Sequence, residues 1–312
     1  MSTGVFLSYK GLGANLLHLS YCHEIAKRYG PIEIITLSKN LEQALEKDPL
    51  IKKITYLNQY HKKIIDIYKL AKLLKKYNFK NIFIFYPSFR FFISAKIAGI
   101  ENIYTYPLFK KRKLHLVKAA KQFIEKNLNI INCPTESKIF IDDNKIKIAK
   151  TFLRKNRKNI IIGAGSSGST TKWGSSNYIK LITELKKKLD CFFFVLCGPE
   201  DKDIADNIVK NTGSEISFSI SDWNIKEIVP LISLSSLYIG NDSFGHHVAC
   251  QTSVPSIILL LDTPRAYSDY SINQYQILPE EININDIDHN SKISPDKIKV
   301  EFVLKKSLEL LR

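Results

Sequence analysis

The chain has 312 residues, 45% of them hydrophobic, with 46 Lys/Arg against 30 Asp/Glu and a formal net charge of +16. This is the composition of a soluble globular protein long enough for two domains, and no apolar run reaches the ~20 residues that a spanning helix needs. Five scattered cysteines (Cys22, Cys133, Cys191, Cys197, Cys250) lack the close spacing of a metal site and point to a reducing cytoplasm, with no structural zinc or disulfide. The charge is uneven: residues 1–155 hold 29 Lys/Arg and 11 Asp/Glu (29 − 11 = +18), and residues 156–312 hold 17 and 19 (17 − 19 = −2). A field concentrated in one half favours an anionic partner such as a phosphorylated substrate or an acidic membrane face. A lysine-rich solvated surface is the plainer reading of the same numbers.

Val5–Tyr9 reads as a first strand, entered without the charged start or small-residue cleavage site of a signal peptide. A glycine turn, Lys10 to Asn15, follows, and Leu16 to Tyr29 has helical spacing that stops at Gly30-Pro31. Strands are expected at Ile32–Leu37, near Ile54–Leu57, at Asn81–Tyr86 and at Asn102–Tyr106. Amphipathic or helical stretches lie between them, the clearest at His61–Tyr77, with Ile64, Ile65, Tyr68, Leu70, Ala71 and Leu74 on one side. Alternating β and α predicts an α/β fold with a parallel sheet covered on both faces. The basic run Lys110-Lys111-Arg112-Lys113 precedes an amphipathic helix over Leu114–Leu128. That helix could lie on an anionic membrane or, as the favoured reading, pack its apolar side on its own sheet. No aromatics interleave with the basic run as a nucleic-acid stacking groove requires, so no nucleic-acid partner is expected.

Residues 151–158 are basic and without apolar periodicity, and the domain linker is placed there, giving domains 1–154 and 155–312. Asn159–Gly163 is a buried strand, followed by the hydroxyl- and glycine-rich loop Ala164 to Gly174, which carries Ser166, Ser167 and Lys172. Such a loop can set backbone N–H groups and hydroxyls against a phosphate, with Lys172 as a point charge. Cys191–Cys197 is the next strand, ending at Gly198-Pro199-Glu200-Asp201; a helix is read over Trp223–Leu234 and a last one over Pro295–Leu311.

The most informative stretch is Tyr238-Ile239-Gly240-Asn241-Asp242-Ser243-Phe244-Gly245-His246-His247. A buried strand breaks at turn and N-cap residues, and a helix follows from about Gly245 to Thr252. A second apolar run, Ser256–Leu261, completes a βαβ unit. Open α/β sheets bind anions at this kind of strand-to-helix turn, because free N–H groups and the helix dipole point there. The plain alternative is a capped helix with Asp242 or Ser243 as the cap.

The order Gly163-Ala164-Gly165-Ser166, Lys172-Trp173, Gly198-Pro199-Glu200, then Asn241-Asp242-Ser243 with His247, Ala249 and Pro255 resembles the heptosyltransferase-like glycosyltransferases, glycosyltransferase family 9 of the GT-B fold. The resemblance covers most of 1–265 in layout and is strongest over 163–263. It implies two Rossmann-like parallel-sheet domains facing a cleft, with the last helix packing back on the N-terminal domain. It also implies transfer of a sugar from a nucleoside diphosphate sugar, commonly ADP-heptose, to an anionic glycan or glycolipid acceptor of the cell envelope, commonly lipopolysaccharide core. The enzyme would work in the cytoplasm or in peripheral contact with the inner membrane face. By the same resemblance Ser166, Ser167 and Lys172 face the diphosphate, Glu200 the ribose and Trp223 the base. Asp242, Ser243, Gly245 and His247 hold the sugar and phosphate. Lys10, Gly13 and Asn15 lie on the acceptor side. No metal or other cofactor is expected, since a lysine and backbone dipoles can neutralise a leaving diphosphate. The family's proposed base is an Asp where this chain has Ala14, so His18, one helical turn on, is the expected catalytic base. Phe244 and His246 also depart from the family pattern. The Ala14 position motivates one alternative, a catalytically altered sugar-nucleotide or glycan-binding partner; a GT-B-like sugar-nucleotide epimerase is another, against which Ala14 argues mildly.

Overall fold

In the computed structural model, which describes residues 2–58, 64–86, 88–106, 116–166, 171–264, 267–288 and 291–312, the chain divides into two compact units, Met1–Phe140 and Ile141–Arg312. The first unit runs β1 (Ser2–Leu7), α1 (Leu12–Leu16), α2 (Leu19–Tyr29), β2 (Ile32–Thr36), α3 (Leu41–Ala44), β3 (Ile51–Tyr56), α4 (Ile65–Tyr77), β4 (Phe79–Ile84), α5 (Phe89–Ile97), β5 (Asn102–Thr105) and α6 (Leu116–Leu128). Its sheet has the order β3-β2-β1-β4-β5, with all pairings parallel. The second runs α7 (Asp143–Phe152), β6 (Lys158–Gly163), α8 (Ser175–Lys188), β7 (Cys191–Leu196), α9 (Lys202–Thr212), β8 (Ser217–Ser219), α10 (Ile225–Ser233), β9 (Leu237–Asn241), α11 (Phe244–Gln251), β10 (Ser256–Leu259), β11 (Gln274–Ile277) and α12 (Val300–Leu311). Its order is β11-β10-β9-β6-β7-β8, again all parallel.

The expected α/β class with two parallel sheets is therefore what forms. Parallel strands are covered on both faces, so their sequences are apolar throughout and do not alternate. Strand β7, Cys-Phe-Phe-Phe-Val-Leu, is buried at every position. The core of the first unit gathers Phe6, Ile35, Leu74, Ile82, Ile84 and Phe91 from strands and helices alike. Helix α6 turns Val117, Ala120, Phe123, Ile124 and Leu128 inward, and Tyr21 donates to the Val117 carbonyl at 3.1 Å. Its apolar side is thus spent on its own unit. The basic run at 110–113 lies outside the described residues.

Three sequence expectations need correction. The linker is expected over 151–158, but Thr151 and Phe152 end helix α7, which belongs to the second unit, packs on α10 and sets Phe152 4.6 Å from Trp223. The division therefore falls at Phe140/Ile141 and not at 154/155. The last helix, expected to pack back on the first domain, lies along α8 and belongs to the second unit. The apolar side of α4 buries only Ala71 and Leu74; Ile64 and Tyr68 at its start are 76% and 60% exposed.

Close approach of β6 and β9 needs the glycine pair Gly163 and Gly240, which lie opposite each other. A Cβ on Gly240 would stand 2.4 Å from the Gly163 carbonyl oxygen, a backbone atom that cannot step aside. Gly240→Ala is expected to cost about 1–3 kcal/mol by overpacking and to lower the melting temperature measurably; an unchanged melting temperature would contradict this packing.

Candidate functional site

In the second sheet β6 is flanked by β7 and β9. The chain proceeds outward from β6 on one side and from β9 on the other, so the sheet reverses its order between them. The loops leave the carboxyl ends of these two strands there, at the position where open α/β sheets bind ligands. The loop after β6 is the hydroxyl-rich stretch starting at Ala164; the turn after β9 is Asp242-Ser243 at the start of α11.

Asn241 joins the two. Its Nδ2 donates to the Ala164 carbonyl at 2.9 Å and its Oδ1 accepts from the Trp173 N–H at 3.1 Å, so one side chain holds both ends of the loop. Trp173 is fully buried, and its Nε1 donates to the Ile298 carbonyl at 2.9 Å. Two carboxylates hold the loop from further sides. Asp201 accepts the Ser166 N–H on Oδ2 at 3.1 Å and pairs through Oδ1 with Lys172 Nζ at 2.9 Å. Asp262, just beyond β10, accepts the Thr171 N–H at 2.5 Å. Two amides of the loop, those of Ser166 and Thr171, are thus taken by carboxylates of the protein itself. Among the described residues, the Ser166 hydroxyl and Asp262 Oδ1 are buried with no hydrogen-bond partner. Ser167 lies outside the described residues.

Asp242 stands at the amino end of α11 with the imidazoles of His246 and His247, whose ring centroids are 3.8 Å apart. Its Oδ1 is 3.0 Å from His246 Nδ1 and 3.5 Å from His247 Nε2. The Ser243 N–H also approaches His246 Nδ1, at 3.2 Å in a capping box. Among the described residues, Asp242 Oδ1 and His246 Nε2 are both buried and have no hydrogen-bond partner of good geometry. His247 is fixed from its other side, with Nδ1 2.8 Å from the Tyr270 hydroxyl. Burial pushes the Asp242 carboxyl toward its neutral form, but the two imidazoles outweigh this and hold it below the usual carboxylate range. Burial first, and the neighbouring His246 second, lower His247 to about 4, so it is a neutral imidazole near pH 7.

The remaining predicted residues divide. Ser243 caps α11 and its hydroxyl is 2.9 Å from that of Tyr238. Gly245 allows the helix to approach the sheet, since a Cβ there would meet the Tyr238 ring at 2.6 Å. Glu200 is exposed on the 3₁₀ turn Pro199–Asp201; its neighbour Asp201 is the carboxylate turned into the loop. Trp223 lies beyond the edge strand β8, half-buried between Phe152 and Phe218. In the first unit Lys10 is exposed and Gly13 buried. Asn15 is expected on the acceptor side. It is instead spent internally, donating to the Tyr9 and Gly11 carbonyls at 2.9 and 2.7 Å and accepting from Thr36 at 2.8 Å. His18 is fully buried, with the Tyr9 ring stacked on it at 4.8 Å. Its Nδ1 donates to the Ala14 carbonyl at 2.6 Å, which leaves Nε2 as the basic nitrogen.

Sequence reasoning did not single out Asn241, Asp201, Asp262, His246 or Tyr270 as working parts. Asn241 and Asp201 each adjoin a residue that was chosen, and Asp262 sits in a polar turn at a strand's carboxyl end, the one local signal that could have marked it.

Two doubly wound parallel-sheet units of this kind are a GT-B-like architecture. The model for glycosyltransferase family 9 (heptosyltransferase) matches residues 100–289, and the chain belongs to that family. Among solved structures, a family 9 glycosyl transferase from Veillonella parvula is 17% identical with a TM-score of 0.78, covering 99% of this chain and 97% of that one. The E. coli ADP-heptose lps heptosyltransferase II is 16% identical with a TM-score of 0.74, covering 100% and 98%. A Haemophilus influenzae protein with a provisional glycosyltransferase name is 21% identical over 145 residues, 44% of this chain and 42% of its own length. No described helix is long and apolar enough to cross a membrane.

Proposed function

We propose that the chain is a glycosyltransferase that binds a nucleoside diphosphate sugar, ADP-heptose-like, on its second unit and transfers the sugar to an acidic, lipid-borne cell-envelope glycan met by its first unit. The observation that carries the reading is the Ser166 hydroxyl. It is buried without a partner among the described residues, in a loop tied at both ends by Asn241. A buried hydroxyl left unpaired costs about 1–3 kcal/mol, and a phosphate oxygen of the donor would satisfy it. Lys172 lies on the same loop, and a diphosphate competing with Asp201 for it would gain a charge-assisted contact. Asp242 and His247 would orient the sugar.

Two features support the acceptor half of the reading. The +18 balance of residues 1–155 suits a phosphorylated acceptor. Ile64, Tyr68 and Phe89 are exposed at the starts of α4 and α5, helices joined by the Ser94 hydroxyl donating to the Ile67 carbonyl at 3.0 Å. In a parallel sheet both helices begin at the strands' carboxyl ends, so this apolar patch flanks the ligand side of the first unit, suited to acyl chains or to an inner-membrane surface beside Lys69 and Arg90. His18 is the proposed base, reached when Tyr9 swings aside.

The test is product analysis. With a panel of ADP-, UDP- and GDP-sugars and a phosphorylated lipopolysaccharide core acceptor, the acceptor is expected to gain one sugar mass for each nucleoside diphosphate released. His18→Ala is expected to slow this about a hundredfold at unchanged donor affinity. No turnover with any donor, or donor consumption that gives an isomer and leaves the acceptor unchanged, would overturn the reading.

A further inference from the structure

We propose that Tyr270 is a positioning residue: its hydroxyl fixes His247 as the tautomer protonated on Nε2, so that His247 and Asp242 together read one hydroxyl of the donor sugar. The reading of a sugar rests on the function proposed above; the tautomer stands on local geometry. His247 and Tyr270 are both buried, and His247 Nδ1 lies 2.8 Å from the Tyr270 oxygen. The opposite nitrogen, Nε2, faces Asp242 Oδ1 at 3.5 Å. A neutral imidazole carries one proton. On Nδ1, that proton would go to Tyr270 and leave the Nε2 lone pair against an ionised carboxylate. On Nε2, the Tyr270 hydroxyl donates to Nδ1 and the N–H faces the carboxylate. Only the second arrangement sets a donor against an acceptor at both nitrogens, and the hydrogen bond at one nitrogen decides the proton at the other.

Tyr270 is itself held in place. Gln274 Oε1, on the edge strand β11, accepts the backbone N–H groups of Tyr270 and Ser271 at 3.1 and 3.0 Å. Gln276, two residues on and so on the same face of the strand, donates through Nε2 to the Ser268 carbonyl at 2.7 Å and to its hydroxyl at 3.0 Å. Two strand side chains therefore hold segment 268–271, and with it the hydroxyl that fixes His247. Asp242 and His247 then present an acceptor and a donor side by side. Their separation of 3.5 Å is at the outer limit of a hydrogen bond, so a group that bonds to both is favoured over their direct contact. A sugar hydroxyl is such a group: it has one proton for the carboxylate and lone pairs for the Nε2–H. The Asp242 side chain keeps 12% exposure, which leaves the pair open to a ligand. The other tautomer would present two acceptors, and a hydroxyl with one proton satisfies only one of them.

¹⁵N NMR of the full chain labelled at histidine, with His247→Gln identifying the His247 signals, tests the tautomer. A protonated Nε2 and an unprotonated, hydrogen-bonded Nδ1 are expected in wild type, with the hydrogen-bond shift at Nδ1 lost in Tyr270→Phe. A protonated Nδ1 in wild type would overturn the proposal. Binding tests the role. Tyr270→Phe removes one oxygen and keeps the ring; circular dichroism checks the fold. It is expected to weaken whichever ADP-, UDP- or GDP-sugar the wild type binds about tenfold, the worth of one hydrogen bond, and to leave affinity for the bare nucleoside diphosphate unchanged. In a His247→Gln background the same substitution is expected to have no further effect, whereas a purely structural contribution of Tyr270 would add to it. Equal sugar-nucleotide affinity in wild type and folded Tyr270→Phe, or equal weakening of nucleotide and sugar nucleotide, would sink the positioning role. A wild type that binds no nucleoside diphosphate overturns the donor reading, and the sugar contact with it, while the NMR result still decides the tautomer.

Discussion

Asn241→Ala is expected to lower the stability of the second unit by about 2–5 kcal/mol and to weaken nucleotide binding at least tenfold. The wild-type side chain is 1% exposed and satisfies two buried backbone groups, the Ala164 carbonyl and the Trp173 N–H. Alanine leaves both without partners, and each buried unsatisfied group costs about 1–3 kcal/mol. For a unit of this size that corresponds to a melting temperature lower by roughly 5–15 °C. The loop between these two anchors carries Ser166 and Lys172, so losing the anchors also loosens whatever the loop binds. Asn241→Asp keeps the acceptor for Trp173 but turns a carboxylate oxygen toward the Ala164 carbonyl, and is expected to be no better than alanine. A melting temperature within 2 °C of wild type would show that the loop ends are held by something else.

Asp242→Asn is expected to reduce sugar transfer by about 10²–10³-fold, the usual effect of removing one preorganised charged or polar group from an active centre. The substitution keeps shape and removes charge. Asp242 is held ionised against the pull of burial by His246 and His247, an arrangement that a mere helix cap does not require. As a charge at a helix amino end alone it would stabilise by about 0.3–1 kcal/mol. The two roles separate cleanly in the measurement: a small fall in melting temperature with transfer unchanged would reduce Asp242 to a cap, while loss of transfer in a folded protein supports its place against the donor.

Much of this was legible in the sequence because parallel strands announce themselves. Runs such as Cys191–Leu196 are apolar at every position only when both faces are covered, and the glycine-, hydroxyl- and acid-rich turns after Gly163 and Asn241 mark their carboxyl ends. What the sequence does not carry is strand order. Asp262 reaches Thr171 only because β10 lies beside β9 and β9 beside β6. The choice between Glu200 and Asp201 is of the same kind: one backbone step on a 3₁₀ turn decides which carboxylate faces the loop. Helix α7 was missed because Lys145, Lys147 and Lys150 interrupt its apolar pattern, although Asp142 caps it by accepting the Asn144 N–H at 2.9 Å. Asn15 and His18 follow the first glycine turn in the sequence. Nothing local told that Asn15 would spend all its polar atoms on Tyr9, Gly11 and Thr36.

The measurement that bears most directly on the central claim is nucleotide affinity, read as thermal stabilisation by ADP, UDP, GDP and their sugars, with Lys172→Ala beside wild type. At about 100 times its dissociation constant a true ligand adds about 2.7 kcal/mol, which for the second unit is a rise of roughly 5–10 °C. The account predicts such a rise with one nucleoside diphosphate and its sugar, and its loss in Lys172→Ala. Stabilisation by none of them, or by one equally in wild type and Lys172→Ala, would contradict a donor site on the loop that Asn241 holds.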